Sequence, residues 1–350
     1  MGVQEMKNTV IGVDLAKKVI QVCVVQVNQI VSNDEMSCSQ FTSWLAMAKP
    51  AVIVFESCAT SNYWKQVAKE KGHDARIISA KLVSQIRQNQ KTDKNDALAI
   101  VQASQLVDIK FINGKTFEQQ ELQSIMRMRE LAVKHKVALR NQIEALLLEF
   151  NIRVSSRNGG LGGTIQGVLE DAENGFCLPF RQALNTSWNR YVQIIEDIAE
   201  KDKLLAQAIQ LHPECEKLLA LEGVSTINAV NLYIAIGCEE AGTFKTGRDA
   251  SACIGLTPLQ HSSGGKTKLG SIGKSMKNIA LRSYLVNGAM SVIHAVNRRE
   301  PRTKKEKWLK QLLERKSKKC AAVALANKTV RTAFALLTQG TEYKAEPLVV

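Results

Sequence analysis

Four carboxylates in the first hundred residues are placed where they could meet at one edge of a sheet. Asp14 and Glu56 each follow a short apolar run, and Asp93 and Asp96 begin a helical pattern three residues apart. In an open α/β sheet the functional crevice lies beyond the carboxyl ends of the strands. Residues three apart on a helix share a face. Converging carboxylates suit Mg²⁺ or Mn²⁺, and two such ions about 4 Å apart can drive phosphodiester chemistry.

Each of these acids also has a purely structural explanation. Asp93 and Asp96 fit an N-terminal helix cap and its partner in the first turn, and an acid after a strand, as at Asp14 and Glu56, is common. Only the set of four favours a metal-dependent catalytic site.

A polar, glycine-rich turn in the last third of the chain is a second candidate for chemistry. Residues 261–268 contain Ser262 and Ser263, two glycines, and two lysines, Lys266 and Lys268. A serine close to cations and backbone N–H groups can hold a phosphate or attack one. The spacing of a P-loop is absent, and an ordinary surface turn explains the same composition.

Residues 218–236 resemble a helix-hairpin-helix, in which a Gly-x-Gly turn presents backbone N–H groups to a phosphate at a helix N-terminus. The match is imperfect because Ser225 stands where the second glycine is expected after Gly223.

The positive charge is concentrated near the C-terminus. The chain has a formal net charge of +14, and residues 221–350 account for +12 of it. This distribution favours a nucleic-acid surface with salt-sensitive affinity, although a solvated helix face would have the same composition. The predicted nucleic-acid-binding residues are Lys266, Lys268, Lys274, Arg282, Arg298, Arg299, Lys304 and Lys305.

The elements that must position these residues divide the chain into regions. Residues 9–105 alternate apolar strands with helical patterns, which predicts an α/β domain with a central sheet. Residues 118–150 and 188–211 carry apolar stripes at helical spacing, which indicates an antiparallel helical pair or a coiled coil between protomers. Glycines in the intervening residues 155–187 predict a loop or tip, and residues after Thr338 are expected to form a loose tail.

Composition excludes several classes of protein. The chain has 350 residues, of which 45% are hydrophobic, so it can bury two or three cores and is neither wholly disordered nor a polytopic membrane protein. The N-terminal residues lack the apolar core of a signal peptide, which predicts a cytoplasmic protein with no membrane partner. The eight cysteines are scattered without a C-x-x-C spacing, which favours free thiols.

Several segments together resemble one family. IGVDLAKKVIQVCVV, VIVFESCATSNYW and QNQKTDKNDALAI resemble the N-terminal domain of the DEDD insertion-sequence transposases, the insertion-sequence one-ten family, which is related to the Piv DNA invertases. LLALEGVSTINAVNLYIAIG and the segment from TFKTGRDA to LRSYL resemble the C-terminal transposase domain of that family. The resemblance covers about residues 9–295, and the SSGGK turn and basic tail look most like the eleven-eleven branch.

The resemblance implies a fold class of α/β plus α. A RuvC-like, ribonuclease H domain would occupy residues 1–110 and carry the tetrad Asp14, Glu56, Asp93 and Asp96. A helical coiled-coil oligomerisation region would occupy 111–212, a transposase domain 213–298, and a basic helix and tail 299–350. Ser263 best matches the serine nucleophile of the family, and Ser262 leaves the assignment open by one residue.

The resemblance also implies how these parts would work together. The serine would form a phosphoserine link to DNA with help from Mg²⁺ or Mn²⁺ on the tetrad. A noncoding bridge-type RNA would guide the enzyme to donor and target DNA, and the helices would assemble dimers and a tetrameric synaptic complex. The alternatives are a site-specific invertase of the same family, a RuvC-like junction nuclease that uses the tetrad alone, and a non-enzymatic nucleic-acid-binding scaffold.

Overall fold

The computed structural model describes residues 9–237, 244–273 and 279–348. Contacts between Cα atoms divide these residues into two compact units. The first contains residues 9–116 and 244–245, and the second contains 117–237 and the described residues from 246 onward.

The first unit is built on a five-stranded mixed sheet in the order β3-β2-β1-β4-β5. β1 runs antiparallel to β2 and parallel to β4, and β4 runs parallel to β5. The strands are β1 (Thr9–Leu15), β2 (Val19–Gln26), β3 (Gln29–Ser37), β4 (Val52–Glu56) and β5 (Asp74–Ile78). The structure thus has the central sheet that the apolar runs predicted.

Helices cover both faces of this sheet. On one face, α1 and α2 pack Phe41 and Trp64 against Ile53 and Phe55 of β4. On the other face, α3 and α4 close over the side of β4 that carries Val54. The helices are α1 (Cys38–Met47), α2 (Ser61–Glu70), α3 (Ala80–Ile86) and α4 (Asp93–Ser104). The first four residues of β4, Val52 to Phe55, are apolar because both faces of the strand are covered.

A glycine brings β1 into direct contact with α4. A Cβ atom on Gly12 would lie 2.3 Å from the carbonyl oxygen of Ala97 and 2.7 Å from Cγ2 of Val101. The missing side chain therefore sets the spacing between the strand that carries Asp14 and the helix that carries Asp93 and Asp96.

Gly12→Ala is expected to destabilise the protein by about 1–3 kcal/mol, the usual cost of overpacking a close-packed interior. Chemical denaturation monitored by circular dichroism would measure it. Gly167→Ala is the matched control, because Gly167 lies in a helix and a Cβ atom there meets nothing within 4 Å. It should gain roughly 0.5–1 kcal/mol from better helix propensity. Equal free energies of unfolding for both variants would contradict the close-contact account.

The second unit is mostly helical, and its two longest helices pack against each other. The ion pair between Arg129 of α5 and Asp202 of α7, and the buried cluster that joins Leu147 to Leu184, show that the two helices run antiparallel. The helices from this region are α5 (Phe117–Glu149), α6 (Gly160–Glu170) and α7 (Leu178–Gln210).

Of the two forms predicted for residues 155–187, a loop or a tip, the loop is wrong, because α6 forms within the segment and α7 begins at Leu178. Leu161, Ile165 and Val168 of α6 are buried against the long helices. Gly162 lies against the indole of Trp188, where a Cβ atom would be 3.1 Å from the ring. The glycines that suggested a loop therefore permit close packing.

The remainder of the second unit contains shorter elements and one hairpin. The helices are α8 (Pro213–Glu216), α9 (Thr226–Ile236), α10 (Gly247–Cys253), α11 (Ile279–Val296), α12 (Lys304–Arg315) and α13 (Lys318–Gln339), and the strands are β6 (Pro258–Ser263) and β7 (Lys266–Ile272). Two short 3₁₀ segments lie at Ser156–Asn158 and Lys217–Ala220. By length and composition α11 and α13 could span a membrane, but core helices pass the same test, and these two pack against each other.

The expectation of a loose tail is also wrong for residues 340–348. Leu348 N–H donates to the carbonyl oxygen of Arg302, and Lys304 N–H donates to that of Glu346. The Tyr343 hydroxyl donates to the Glu222 carboxylate at 2.8 Å. These hydrogen bonds fasten the segment to the body of the second unit.

Candidate functional site

The four predicted acids come from three elements that meet at one edge of the first sheet. Asp14 is the penultimate residue of β1, and Glu56 is the last residue of the parallel neighbour β4. Val13 of β1 pairs with Phe55 of β4. Asp14 and Glu56 are the next residues of these two parallel strands, so they occupy neighbouring positions. Asp93 and Asp96 lie in the first turn of α4, which packs on β1.

The structural explanation of Asp93 as a helix cap does not hold. The N-cap of α4 is Thr92, whose Oγ1 accepts a hydrogen bond from Asn95 N–H at 3.3 Å. Asp93 is exposed and Asp96 is buried, and neither carboxylate is needed as the cap.

The acids influence one another electrostatically. Burial raises the pKa of Asp14, and the nearby charges of Asp96 and Asp93 raise it further. Burial likewise raises the pKa of Glu56, with further contributions from the charges of Asp14 and Asp96. A cation placed among these groups would relieve both the desolvation and the repulsion.

One arginine already occupies part of this cluster. Nη1 of Arg87, the C-cap residue of α3, donates to Oδ1 of Asp96 at 2.6 Å, and Asp96 is only 7% exposed. Within the part of the chain that the structure describes, no group of three His, Cys, Asp or Glu side chains is arranged to hold a metal ion. The donor set fits a hard divalent ion in chemistry, and because Arg87 bonds only Oδ1 of Asp96, the ion would either share this carboxylate with Arg87 or displace it. Sequence reasoning missed Arg87 because nothing in its spacing distinguishes it.

The predicted serines lie on an exposed β-hairpin. Ser263 ends β6 and pairs with Lys266 of β7, across a turn formed by Gly264 and Gly265. Both glycines have positive φ, +56° and +75°. A two-residue turn with both residues in the left-handed region is the type that matches the twist of a hairpin. Ser263 and Lys266 therefore extend from the same face, since opposed residues share a face of a sheet.

The sequence predicted a turn at this position but not the strands beside it. Both strands are exposed and polar, and Ser262 pairs with Thr267 near the tip. They lack the apolar alternation by which half-buried strands are recognised.

The predicted nucleic-acid-binding residues differ in their surroundings. Lys266, Lys268 and Arg298 are exposed, whereas Arg282 donates to the carbonyl oxygen of Gly273 at 2.7 Å. Lys274 lies outside the described residues. Lys304 forms an exposed ion pair with Glu346 at 2.9 Å.

Two further cations of this set, Arg299 and Lys305, are paired with partly or largely buried carboxylates. Arg299 donates to Glu306, and Lys305 donates to both Glu222 and the Tyr343 hydroxyl at 2.6 Å. Burial opposes ionisation of Glu222, but hydrogen bonds from Lys305 and Tyr343 outweigh it and lower its pKa. A phosphate contact at Lys305 would have to compete with this carboxylate.

Comparison with protein families gives two matches that together cover most of the chain. Residues 11–152 match the DEDD transposase family of IS110, and residues 215–306 match the transposase family of IS116, IS110 and IS902. The first match includes all four acids, and the second includes Ser262, Ser263 and the helices α9 and α11.

Individual relatives match over nearly the full length of the chain. The transposase for insertion sequence element IS1111A of Coxiella burnetii is 31% identical over 96% of this chain and 91% of its own. The transposase for IS1328 of Yersinia enterocolitica is 30% identical, with coverage of 96% and 98%. A pilin gene-inverting protein of Moraxella bovis is 22% identical, with coverage of 95% and 97%.

Proposed function

Because this chain belongs to the IS110 family of insertion-sequence transposases, enzymes that cleave and rejoin DNA, we propose that it does so through a phosphoserine intermediate. The serine acts together with a divalent-metal site on the four carboxylates. The observation that supports the metal site is that Asp14 and Glu56 lie at the ends of adjacent parallel strands, while α4, packed on β1, carries Asp93 and Asp96 in its first turn. The charges of Asp96 and Asp93 accordingly raise the pKa of Asp14.

Ser263 is the proposed nucleophile, with Ser262 as the alternative one residue away. The serine oxygen bonds to phosphorus, loses its proton, and displaces a strand-end oxygen that leaves as a hydroxyl. The reverse reaction with a hydroxyl from a different strand end rejoins the DNA, so the energy of the broken bond is conserved. The hairpin presents the serine in the open, beside Lys266, where a phosphate can approach.

Asp14, Glu56, Asp93 and Asp96 would hold Mg²⁺ or Mn²⁺ through carboxylate oxygens. Such an ion stabilises negative charge on a phosphate that is under attack. Asp14 and Glu56 would provide the half of the site on the sheet, and Asp96 would contribute the carboxylate that Arg87 also contacts.

The proposal extends to the partners and the assembly. The first domain is proposed to be RuvC-like, and the long helices are proposed to join protomers into dimers and a synaptic tetramer in the cytoplasm. A noncoding guide RNA of the element and the donor and target DNA would share the basic surfaces, which include the exposed Lys266, Lys268 and Arg298.

Site-specific inversion is the second candidate activity. It is favoured by the full-length similarity to the pilin gene-inverting protein. Inversion and transposition use the same strand-exchange chemistry on differently arranged sites. A junction nuclease that hydrolyses DNA without a covalent link is the third candidate, and it assigns no role to the hairpin serines.

A plasmid excision assay tests the proposed function. The gene is supplied with a donor that carries the flanks of its element, with or without the flanking noncoding segment. We expect excision only when that segment is transcribed and Mg²⁺ or Mn²⁺ is present, with a protein–DNA adduct trapped by denaturation. Excision without the noncoding RNA would contradict the guidance, and inversion of the segment between two sites would favour the second candidate.

A further inference from the structure

We propose that a groove at the N-terminus of α9 binds a phosphodiester of a nucleic-acid strand. The groove has a volume of about 490 Å³ and lies within the second unit. The turn at Gly223, helices α9 and α11, and Arg129 of α5 form its walls. The inference rests on the proposed function for its nucleic-acid partner, but it concerns residues outside both the tetrad and the serine hairpin.

The start of α9 supplies hydrogen-bond donors to this groove. The first intrahelical bond runs from Ala229 N–H to the carbonyl oxygen of Ser225, so the N–H groups of Thr226, Ile227 and Asn228 precede it. Ser225 is the N-cap residue, and its side chain makes no capping hydrogen bond. Helix N–H groups in this position, together with the positive end of the helix dipole, bind phosphate.

The turn before α9 is held in place by backbone packing. Gly223 has φ of +77°, and a Cβ atom on Gly288 of α11 would lie 2.0 Å from the carbonyl oxygen of Gly223. Ser225 has φ of −90°, so the position where a second glycine was expected does not require one. The geometry of the turn is therefore compatible with the helix-hairpin-helix resemblance despite the serine.

A buried amide in the wall of the groove gives independent support for a ligand. Asn228 is 3% exposed, and its Nδ2 donates to the carbonyl oxygens of Gly223 at 3.1 Å and Tyr284 at 3.4 Å. Among the described residues its Oδ1 has no hydrogen-bond partner. A buried acceptor without a donor is costly, so we expect a donor to arrive with the ligand. Base amino groups and ordered water come with either nucleic acid, and RNA adds 2′-hydroxyl donors.

A cation completes the recognition chemistry. Arg129 lines the groove, and its guanidinium is oriented by hydrogen bonds to both carboxylate oxygens of Asp202. Its side chain is 13% exposed, so it is largely desolvated and stays in one position. Asp202 offsets the charge of Arg129, so the guanidinium, like the helix N–H groups, would act on the ligand through N–H donors rather than through net charge. A phosphodiester provides several acceptor oxygens for such donors.

The test places a negative charge at the rim of the groove. Ser291 and Asn287 of α11 line the groove and are exposed, so Ser291→Glu should fold normally and repel a phosphate. Ser291→Gln controls for side-chain size. Ser283→Glu controls for net charge, because Ser283 is exposed on the same helix but does not line the groove. Thermal unfolding by circular dichroism verifies that each variant is folded.

Binding of the full chain to a fluorescent RNA hairpin, its 2′-deoxy counterpart and a short DNA duplex is measured across about 50–200 mM salt. We expect Ser291→Glu to weaken binding at least ~10-fold and to reduce the salt slope by about one. The affinities of both control variants should stay within about twofold of the affinity of the unaltered chain at each salt concentration. A larger loss for the RNA hairpin than for its 2′-deoxy counterpart would identify RNA as the ligand, and equal losses would identify a backbone phosphate of either nucleic acid.

Two outcomes overturn the inference. If Ser291→Glu binds as well as Ser291→Gln, or no worse than Ser283→Glu, the groove does not contact nucleic acid. In that case the unaltered chain still binds, and the proposed function stands. If the unaltered chain binds none of the three probes, the nucleic-acid partner itself is wrong and both proposals fail.

Discussion

Ser263→Ala should eliminate the covalent protein–DNA adduct and lower excision by at least ~10³-fold, since removing a nucleophile removes the whole reaction path that depends on it. Ser263 lies at the end of an exposed strand, next to the turn and opposite Lys266. Its replacement by alanine should leave the fold unchanged, because the side chain contributes no core packing.

Ser262→Ala is the matched control for this experiment. Ser262 is one position earlier on the same strand, equally exposed, and its side chain faces the opposite side of the hairpin. It should retain excision and the adduct. Loss of the adduct in Ser262→Ala alone would move the nucleophile by one residue. Full excision in both variants would exclude a serine of this hairpin and favour hydrolysis by the tetrad.

Asp14→Asn should abolish excision, and in metal-free buffer at neutral pH it should raise the free energy of unfolding. The pKa of Asp14 is raised in the folded protein, by burial and by the charges of Asp96 and Asp93. An acid with a raised folded pKa contributes stability at low pH that is lost as pH rises from its unfolded pKa through its folded pKa. An asparagine does not ionise, so the variant should lose less stability over this pH window.

The effect of Mg²⁺ on the melting temperature tests whether Asp14 is a metal ligand or has only a structural role. Mg²⁺ should raise the melting temperature of the unaltered chain, because an ion that binds only the folded state stabilises it. It should not stabilise Asp14→Asn. Glu70→Gln, a change of the same kind at an exposed position at the end of α2, should behave as the unaltered chain does. An equal Mg²⁺-induced shift in Asp14→Asn would show that Asp14 is not a ligand.

The elements that the sequence predicts best are those whose buried positions form a recognisable apolar pattern, either a continuous run or a periodic stripe. The apolar run of β4 is buried on both faces, so its strand and the acid that ends it were recognisable. β3 was missed because its central residues, Asn33 to Glu35, are polar and the strand lies at the edge of the sheet. α6 was missed because its glycines pack against an aromatic ring that only the tertiary structure brings close.

The candidate site shows the same division between local and long-range information. The positions of Asp14 and Glu56 follow from strand ends, which are local features. The ion pair of Arg87 with Asp96 depends on how α3 and α4 pack, and the groove at α9 depends on the contact between two glycines 65 positions apart in the chain, Gly223 and Gly288. No spacing rule encodes such contacts.

The close contact at Gly12 has a consequence for comparing copies of an element within a genome. Gly12 carries no functional group, yet a side chain there would force β1 away from α4 and so separate Asp14 from Asp93 and Asp96. A copy that has acquired a larger residue at this codon is therefore expected to encode a less stable enzyme even when all four acids are intact. The codon for Gly12 should therefore be inspected, together with those of the four acids, when functional copies of the element are distinguished from inactivated ones.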